Sequence, residues 1–357
     1  MKIKATLERV PGGLMLGPLL LGAALNTLDQ AHLAPVEAAL KALGATPLAN
    51  GHYEFLRLGA APNVASFTES LFKTGAATLI ALFLVCVGSQ MTVRLGARAL
   101  GKGALLTGAR FAAGAAAGLA LGKMSDPFHG WLGLSTLAVV AAMTNGNGGL
   151  FAALSSQYGS RSDVGALSVL SLCNGPFLTL LALGLMGETF PAVVFLGVLT
   201  PLAVGMVLGN LDADIRQFLQ PGEKLLVPFF AFALGAGMNL AVFANPALLA
   251  GGLLLGVATT ALTGGAMWLA LAAGGFRSRL TAFAFASAAG NATFTPAAIA
   301  AAAAAAGSPN AANYKEIAAN ATAQISIAVI TTALLCPLAV TLLDRRQRTR
   351  GIDGRAE

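Results

Sequence analysis

Apolar residues run through this chain in long blocks, with the polar ones gathered between them. Charge-poor windows fall at about residues 12–28, 74–93, 103–122, 131–157, 163–186, 190–209, 224–242, 247–273, 279–306 and 317–343. At about 1.5 Å of rise per residue, windows of this length cross a hydrocarbon core of about 30 Å as helices. The ten-residue alternation of a membrane β-barrel is absent. The pattern predicts an all-α integral membrane protein with ten transmembrane helices.

Two of these windows are interrupted. In the fourth, "LAVVAAMTNGNGGLFAALSS" (137–156), residues Thr144 to Gly149 are poor helix formers. The ninth carries "SAAGNATFTPAAIAA" at the corresponding place. A backbone that leaves helical geometry in lipid exposes amides and carbonyls, and is tolerated only where protein or a water-filled cavity receives them. The paired breaks therefore predict a polar cavity near the membrane centre. Asn147 ahead of Gly148–Gly149, and Thr295 as an N-cap ahead of Pro296, read as starts of new half-helices. Helix N-termini carry partial positive charge, so the expected ligand is an anion.

The two halves of the chain resemble each other. "LGPLLLGAAL" (16–25) matches "LTPLAVGMVL" (199–208) at an offset of 183, with Pro18 on Pro201 and Gly22 on Gly205. "FLVCVGSQMTV" (83–93) matches "FAFALGAGMNL" (230–240) at 147, and the breaks share "GN" at 146–147 and 290–291. An odd number of helices per copy reverses the entry side, so the halves are expected to form two inverted five-helix repeats. The predicted organisation is an N-terminus and first helix (1–28), an extended outer loop (29–73), the rest of the first repeat (74–186), the second repeat (187–343) and a basic cytoplasmic tail (344–357). Within the outer loop "PVEAALKALG" has helical spacing and a Glu37–Lys41 pair, the mark of a small surface helix acting as a packing or lid element.

Composition agrees: 56% of residues are hydrophobic and only 10% charged, against about a quarter charged in soluble domains. Of the 22 basic residues, sixteen fall in segments on the cytoplasmic side under a cytoplasmic N-terminus, five fall in outer segments, and Arg110 alone lies within a window. That asymmetry predicts both termini cytoplasmic and explains the net charge of +7 without nucleic acid. Enzyme chemistry is not indicated. His32, His52 and His129 lie in predicted outer loops, acidic residues lie in loops or at window ends, and Cys86, Cys173 and Cys336 lack metal-ligand spacing. No cofactor and no metal site is expected.

"IKATLERVPGGLMLGPLLLGA", "GLSTLAVVAAM…NGGLFAALSSQYG", "VLSLCNGPFLTLL" and "LVPFFAFALG" resemble the 2-keto-3-deoxygluconate permease family over nearly the whole chain apart from the 29–72 segment. The resemblance implies a multi-pass transporter of the bacterial inner membrane, a proton symporter of that sugar acid. It also implies kinship with the bile acid and sodium symporter superfamily, in which helices four and nine are broken and cross. Thr144 and Cys173 stand where the family pattern is acidic, and neither Asp nor Glu lies deep in a window, so sodium coupling is less expected than proton coupling. The substrate-binding set expected here is Thr144, Asn145, Asn147, Gly148, Asn291, Thr293 and Thr295 at the breaks, with Asn239 and with Arg110, about seven residues into window three, pairing with the carboxylate. Asn174, Gln90, Asn320 and Gln324 are further polar residues in or near windows. Other small organic anions, such as a keto acid or pantoate-like compound, remain the alternative cargo, and an anion-binding receptor the alternative class.

Overall fold

A computed structural model describes residues 7, 13–48, 50–61, 64–91, 97–160, 163, 166–173, 175–188, 191–240 and 244–352. Asn174 lies outside the described residues. The principal helices, in chain order, are α1 (Gly13–Gln30), α2 (Ala34–Ala42), α3 (Ala76–Gln90), α4 (Ala97–Met124), α5 (Thr136–Thr144), α6 (Gly148–Tyr158), α7 (Phe177–Leu185), α8 (Ala192–Leu211), α9 (Val227–Gly235), α10 (Pro246–Ala258), α11 (Gly264–Ala273), α12 (Leu280–Ala284), α13 (Thr295–Ala305) and α14 (Ala311–Arg348). Among the described residues β-structure is confined to isolated bridges. Among the described residues three helical stretches are long and apolar enough to cross a membrane by themselves: Ala99–Met124, Pro246–Ala273 and Ala311–Arg348.

Several boundaries differ from those read in the sequence. Helix α4 begins near Ala97, so Arg110 sits at its middle, about 20 Å along the axis, where seven residues had been expected. The charged residues Arg98 and Lys102 had been read as loop, but a helix continues through such residues when their neighbours pack. Likewise α14 runs on to Arg348 through the start of the basic tail, where Asp344 pairs with Arg348 at 2.9 Å one turn away. The small helix of the outer loop is present as α2, with Pro35 in its first turn.

The chain forms two compact units, residues 1–83 with 221–245, and 84–220 with 246–357. In the first, α1 and α9 pack so closely that a Cβ at Gly22 would strike the carbonyl oxygen of Phe232, and one at Gly235 that of Leu19. In the second, α8 and α3 make the same kind of contact: Gly205 lies against the carbonyl of Val85, and Gly88 against that of Leu202. These four partners correspond at the sequence offsets of 183 and 147. Asn26 donates to the carbonyl of Met238 at 3.0 Å, and Asn210 to that of Met91 at 2.7 Å, so a side-chain clamp accompanies each glycine contact. Bare backbones allow helices to approach this closely, and the amides satisfy carbonyls left free near the helix ends.

The second unit is organised around α5 and α6. Every residue of α5 is buried, capped at its start by Ser135, whose Oγ accepts from the amide of Ala138 at 3.1 Å. Phe151 and Phe285 meet edge to face at 5.5 Å in a core shared with Leu106, Met267 and Leu271.

Candidate functional site at the helix crossing

Helix α5 stops because Asn145 leaves helical geometry for the extended region, and α6 starts because Asn147 caps it, its Oδ1 accepting from the amide of Leu150 at 3.0 Å. The second break is longer. Helix α12 ends at Ala284 with Phe285 as its C-cap, the chain is non-helical as far as Ala289, and a 3₁₀ segment, Gly290–Phe294, leads into α13. Thr295 is not the N-cap of α13: Phe294 holds that position with no side-chain cap, and Thr295 is already helical. Because Pro296 tolerates either of the first helical positions, the sequence admitted a start one residue later than the one adopted.

The two breaks cross and bond to each other. Gly146 and Ala288 form an antiparallel bridge, with the Asn147 amide donating to the Ser287 carbonyl at 3.0 Å and the Ala289 amide to the Asn145 carbonyl at 3.1 Å. Gly146 is needed there, since a Cβ would run into the ring of Phe285. The backbone groups freed by one interruption are thus satisfied by the other, which meets the requirement that lipid imposes.

Arg110 completes this arrangement. Its side chain is wholly enclosed, and its guanidinium donates to the carbonyls of Phe285, Ala142 (3.2 Å) and Asn145 (2.8 Å). These carbonyls belong to the C-terminal ends of α5 and α12, where partial negative charge favours a cation. Its donors are thus directed at backbone, because a helix break near the centre leaves carbonyls that only a long multidentate donor can reach.

The remaining expected residues divide by environment. Thr144 bonds through Oγ1 to the Val140 carbonyl (2.8 Å) and to Thr179 (3.0 Å). Asn145 spans the crossing, donating to the Ala141 carbonyl at 2.9 Å and accepting from the Gly175 amide at 3.0 Å. Thr293 turns back on the Gly290 carbonyl. Thr295 is buried with a hydroxyl that has no hydrogen-bond partner. Asn147 and Gly148 are half-buried at the start of α6, and Asn291 is half-buried in the 3₁₀ segment that precedes α13. Asn239 belongs to the other unit, where it donates to Gln30 at 3.0 Å. Gln324 donates to the Leu132 carbonyl, and Gln90 to that of Arg216.

Sequence reasoning missed Ser287 and Thr332, whose hydroxyls lie 3.1 Å apart, with Thr332 also accepting from the Ala288 amide at 3.0 Å. Ser287 could have been found from its place beside the "AAGN" break, whereas nothing local marks a threonine inside an apolar helix. It also placed Asp163 at a loop end; the carboxylate is 1% exposed, paired with the equally buried Lys102 and held by the Ser160 amide and hydroxyl.

A cavity of about 290 Å³ lies farther along the same unit, near the start of α5, lined by Gly118, Lys123, Thr136, Glu188, Asn310 and Tyr314 among others.

A family profile described as 2-keto-3-deoxygluconate permease matches residues 56–349. The 2-keto-3-deoxygluconate permease 1 of Salmonella typhimurium is 41% identical over 350 residues, 97% of each chain. The 2-keto-3-deoxygluconate permease of Xanthomonas axonopodis pv. citri is 38% identical over 359 residues, 98% of this chain and 99% of that one. That of an Enterobacter species is 35% identical over 356 residues, 97% and 94% respectively.

Proposed function

The chain belongs to the 2-keto-3-deoxygluconate permease family, and from that membership we propose that it imports a sugar-acid anion, 2-keto-3-deoxygluconate, by proton symport and alternating access. It is a membrane transporter and not an enzyme. The observation that carries the substrate class is the crossing of two interrupted helices from which α6 and α13, each eleven residues long, set out. Both present an N-terminus with partial positive charge at the crossing, a suitable seat for a carboxylate.

Asn147, Gly148 and Asn291 at the half-helix starts and the Thr295 hydroxyl are the groups we assign to the substrate, with Thr144, Asn145 and Thr293 shaping the floor. Arg110 is assigned to positioning, since it holds the backbone that presents those groups. Asn239 lies in the other unit, where it bonds Gln30, and is left out of this seat.

The architecture we infer has ten transmembrane helices in two inverted repeats, with both termini cytoplasmic in the bacterial inner membrane. Its support is the recurrence of the α1–α9 glycine contacts in α8 and α3 at the offsets of the internal repeat. For coupling, Asp163 with Lys102 is the preferred site, because protonating a buried carboxylate upsets the charge balance of an enclosed pair.

Uptake of labelled 2-keto-3-deoxygluconate into proteoliposomes, under an imposed proton or sodium gradient, tests the reading. Accumulation driven by protons alone is expected. Binding without uptake would make the protein a receptor, accumulation driven by sodium alone would remove proton symport, and uptake of a keto acid in preference to the sugar acid would change the cargo.

A further inference from the structure

The segment joining α1 to α3 carries a cluster that transport does not use. His32 follows the end of α1, Glu37 lies in the first turn of α2, and His52 sits on the turn beyond it. One atom of each, His32 Nδ1, Glu37 Oε1 and His52 Nδ1, lies within 4.8 Å of the others. Glu37 Oε1 is 2.7 Å from His52 Nδ1 and 3.3 Å from His32 Nδ1. We propose that His32, Glu37 and His52 form a binding site for a divalent transition-metal ion of the zinc class.

Two features favour a metal over a simple hydrogen-bonded cluster. The carboxylate oxygen already receives His52 and the Tyr53 amide, while His32 Nδ1 is buried, faces the same oxygen and makes no hydrogen bond. The imidazoles are also stacked, with centroids 3.7 Å apart and planes 19° from parallel. Protonating both rings would place two like charges in contact, whereas a divalent ion takes neutral imidazoles and turns both lone pairs inward.

The dimensions suit the ion. Zinc holds nitrogen at about 2.0–2.1 Å and carboxylate oxygen at about 2.0–2.2 Å, which puts neighbouring ligand atoms of a tetrahedron about 3.3 Å apart. The His32–Glu37 pair has that spacing, and His52 needs to draw back by about 0.6 Å with a rotation of the stacked rings. Two nitrogens and one oxygen make a borderline donor set for zinc, nickel or copper rather than for calcium or magnesium. All three side chains are half-buried, so a face stays open for water or a further ligand.

The scaffold holds the ligands in place. Asp29 is buried, and its carboxylate accepts from the amides of Phe55 at 2.8 Å and Leu56 at 3.1 Å, tying the His52 strand of chain to the end of α1. The amide of Leu48 donates to the His52 carbonyl at 2.8 Å, closing the turn that carries the ring. His32 holds φ at +46°, in the left-handed region that histidine enters more readily than most side chains. A bound ion would clip this segment to α1 and stiffen the first unit.

The test uses the full chain in detergent micelles, stripped with chelator and titrated with Zn²⁺ against a chromophoric chelator. One zinc per chain is expected, lost in His32→Ala and in His52→Ala and retained in His129→Ala, whose imidazole faces Asp126 and Glu316 instead. Pulsed electron paramagnetic resonance of the wild type loaded with one equivalent of Cu²⁺ supplies a readout that does not depend on the variants folding. Modulation from imidazole nitrogens supports the site. Its absence, or zinc binding unchanged in the two variants, overturns it.

Discussion

The amide of Ala289 donates to the carbonyl of Asn145 at 3.1 Å, so one interrupted helix is bonded through its backbone to the other. That bond needs no side chain at either place, whereas two residues beyond Asn145 the side chain itself matters: Asn147 caps α6 and stands where the anion is proposed to sit. Asn147→Asp keeps the capping oxygen and adds a negative charge, so thermal stability should hold while uptake collapses. Melting temperature and initial uptake rate measured on one preparation decide it, and normal uptake would move the anion elsewhere.

Arg110 should behave as part of the fold. Arg110→Ala strips a donor from three enclosed carbonyls; that of Asn145 keeps the Ala289 amide, and a carbonyl left unsatisfied costs about 1–3 kcal/mol. Melting temperature and transport should therefore fall together, with Arg110→Lys intermediate because a point charge cannot reach all three. A variant of normal stability with only a raised KM would instead place Arg110 on the substrate.

The paired glycine contacts make a stability test in two places at once. Gly22→Ala and Gly205→Ala each push a methyl into a backbone carbonyl, and about 1–3 kcal/mol of destabilisation is expected for both. Gly101→Ala, where a methyl meets open space on α4, should be neutral or stabilising by up to about 1 kcal/mol through helix propensity. Unequal responses at Gly22 and Gly205, read by thermal unfolding, would count against their equivalence.

Asp163→Asn leaves Lys102 buried without its counter-charge, a loss of about 3–5 kcal/mol for enclosed pairs. Lys102→Gln combined with Asp163→Asn should recover much of that stability without recovering proton-driven uptake. If the double variant still accumulates substrate in response to a proton gradient, the pair is not the coupling site.

Glu223 gives a pH signature ahead of α9. Burial pushes its carboxyl up from an ordinary 4.5 to about 7, against a smaller opposing effect of Lys224. The folded state therefore prefers the protonated form. Its destabilisation is full above pH 7, eases as pH falls through that value, and is gone below about 4.5. Subtracting the melting curve of Glu223→Gln from that of the wild type between pH 5 and 8 should show this slope, and a flat difference would refute it.

What the sequence determined by itself is the part of this protein that depends on local composition. Runs of apolar residues placed the helices, because burial of backbone polar groups in lipid leaves a chain few alternatives to helix. The poor helix formers around Asn145 and Asn291 located both breaks, and an asparagine ahead of two glycines identified the cap of α6. Tertiary structure decided the rest. Whether Arg110 would meet solvent, substrate or backbone depended on how α4 lies against α5 and α12, and only the crossing puts three carbonyls within reach of one guanidinium. The enclosure of Asp163 with Lys102 and the meeting of His32, Glu37 and His52 are likewise contacts between residues distant along the chain. A side chain's role follows from the groups that packing brings to it, and local pattern carries no record of those neighbours.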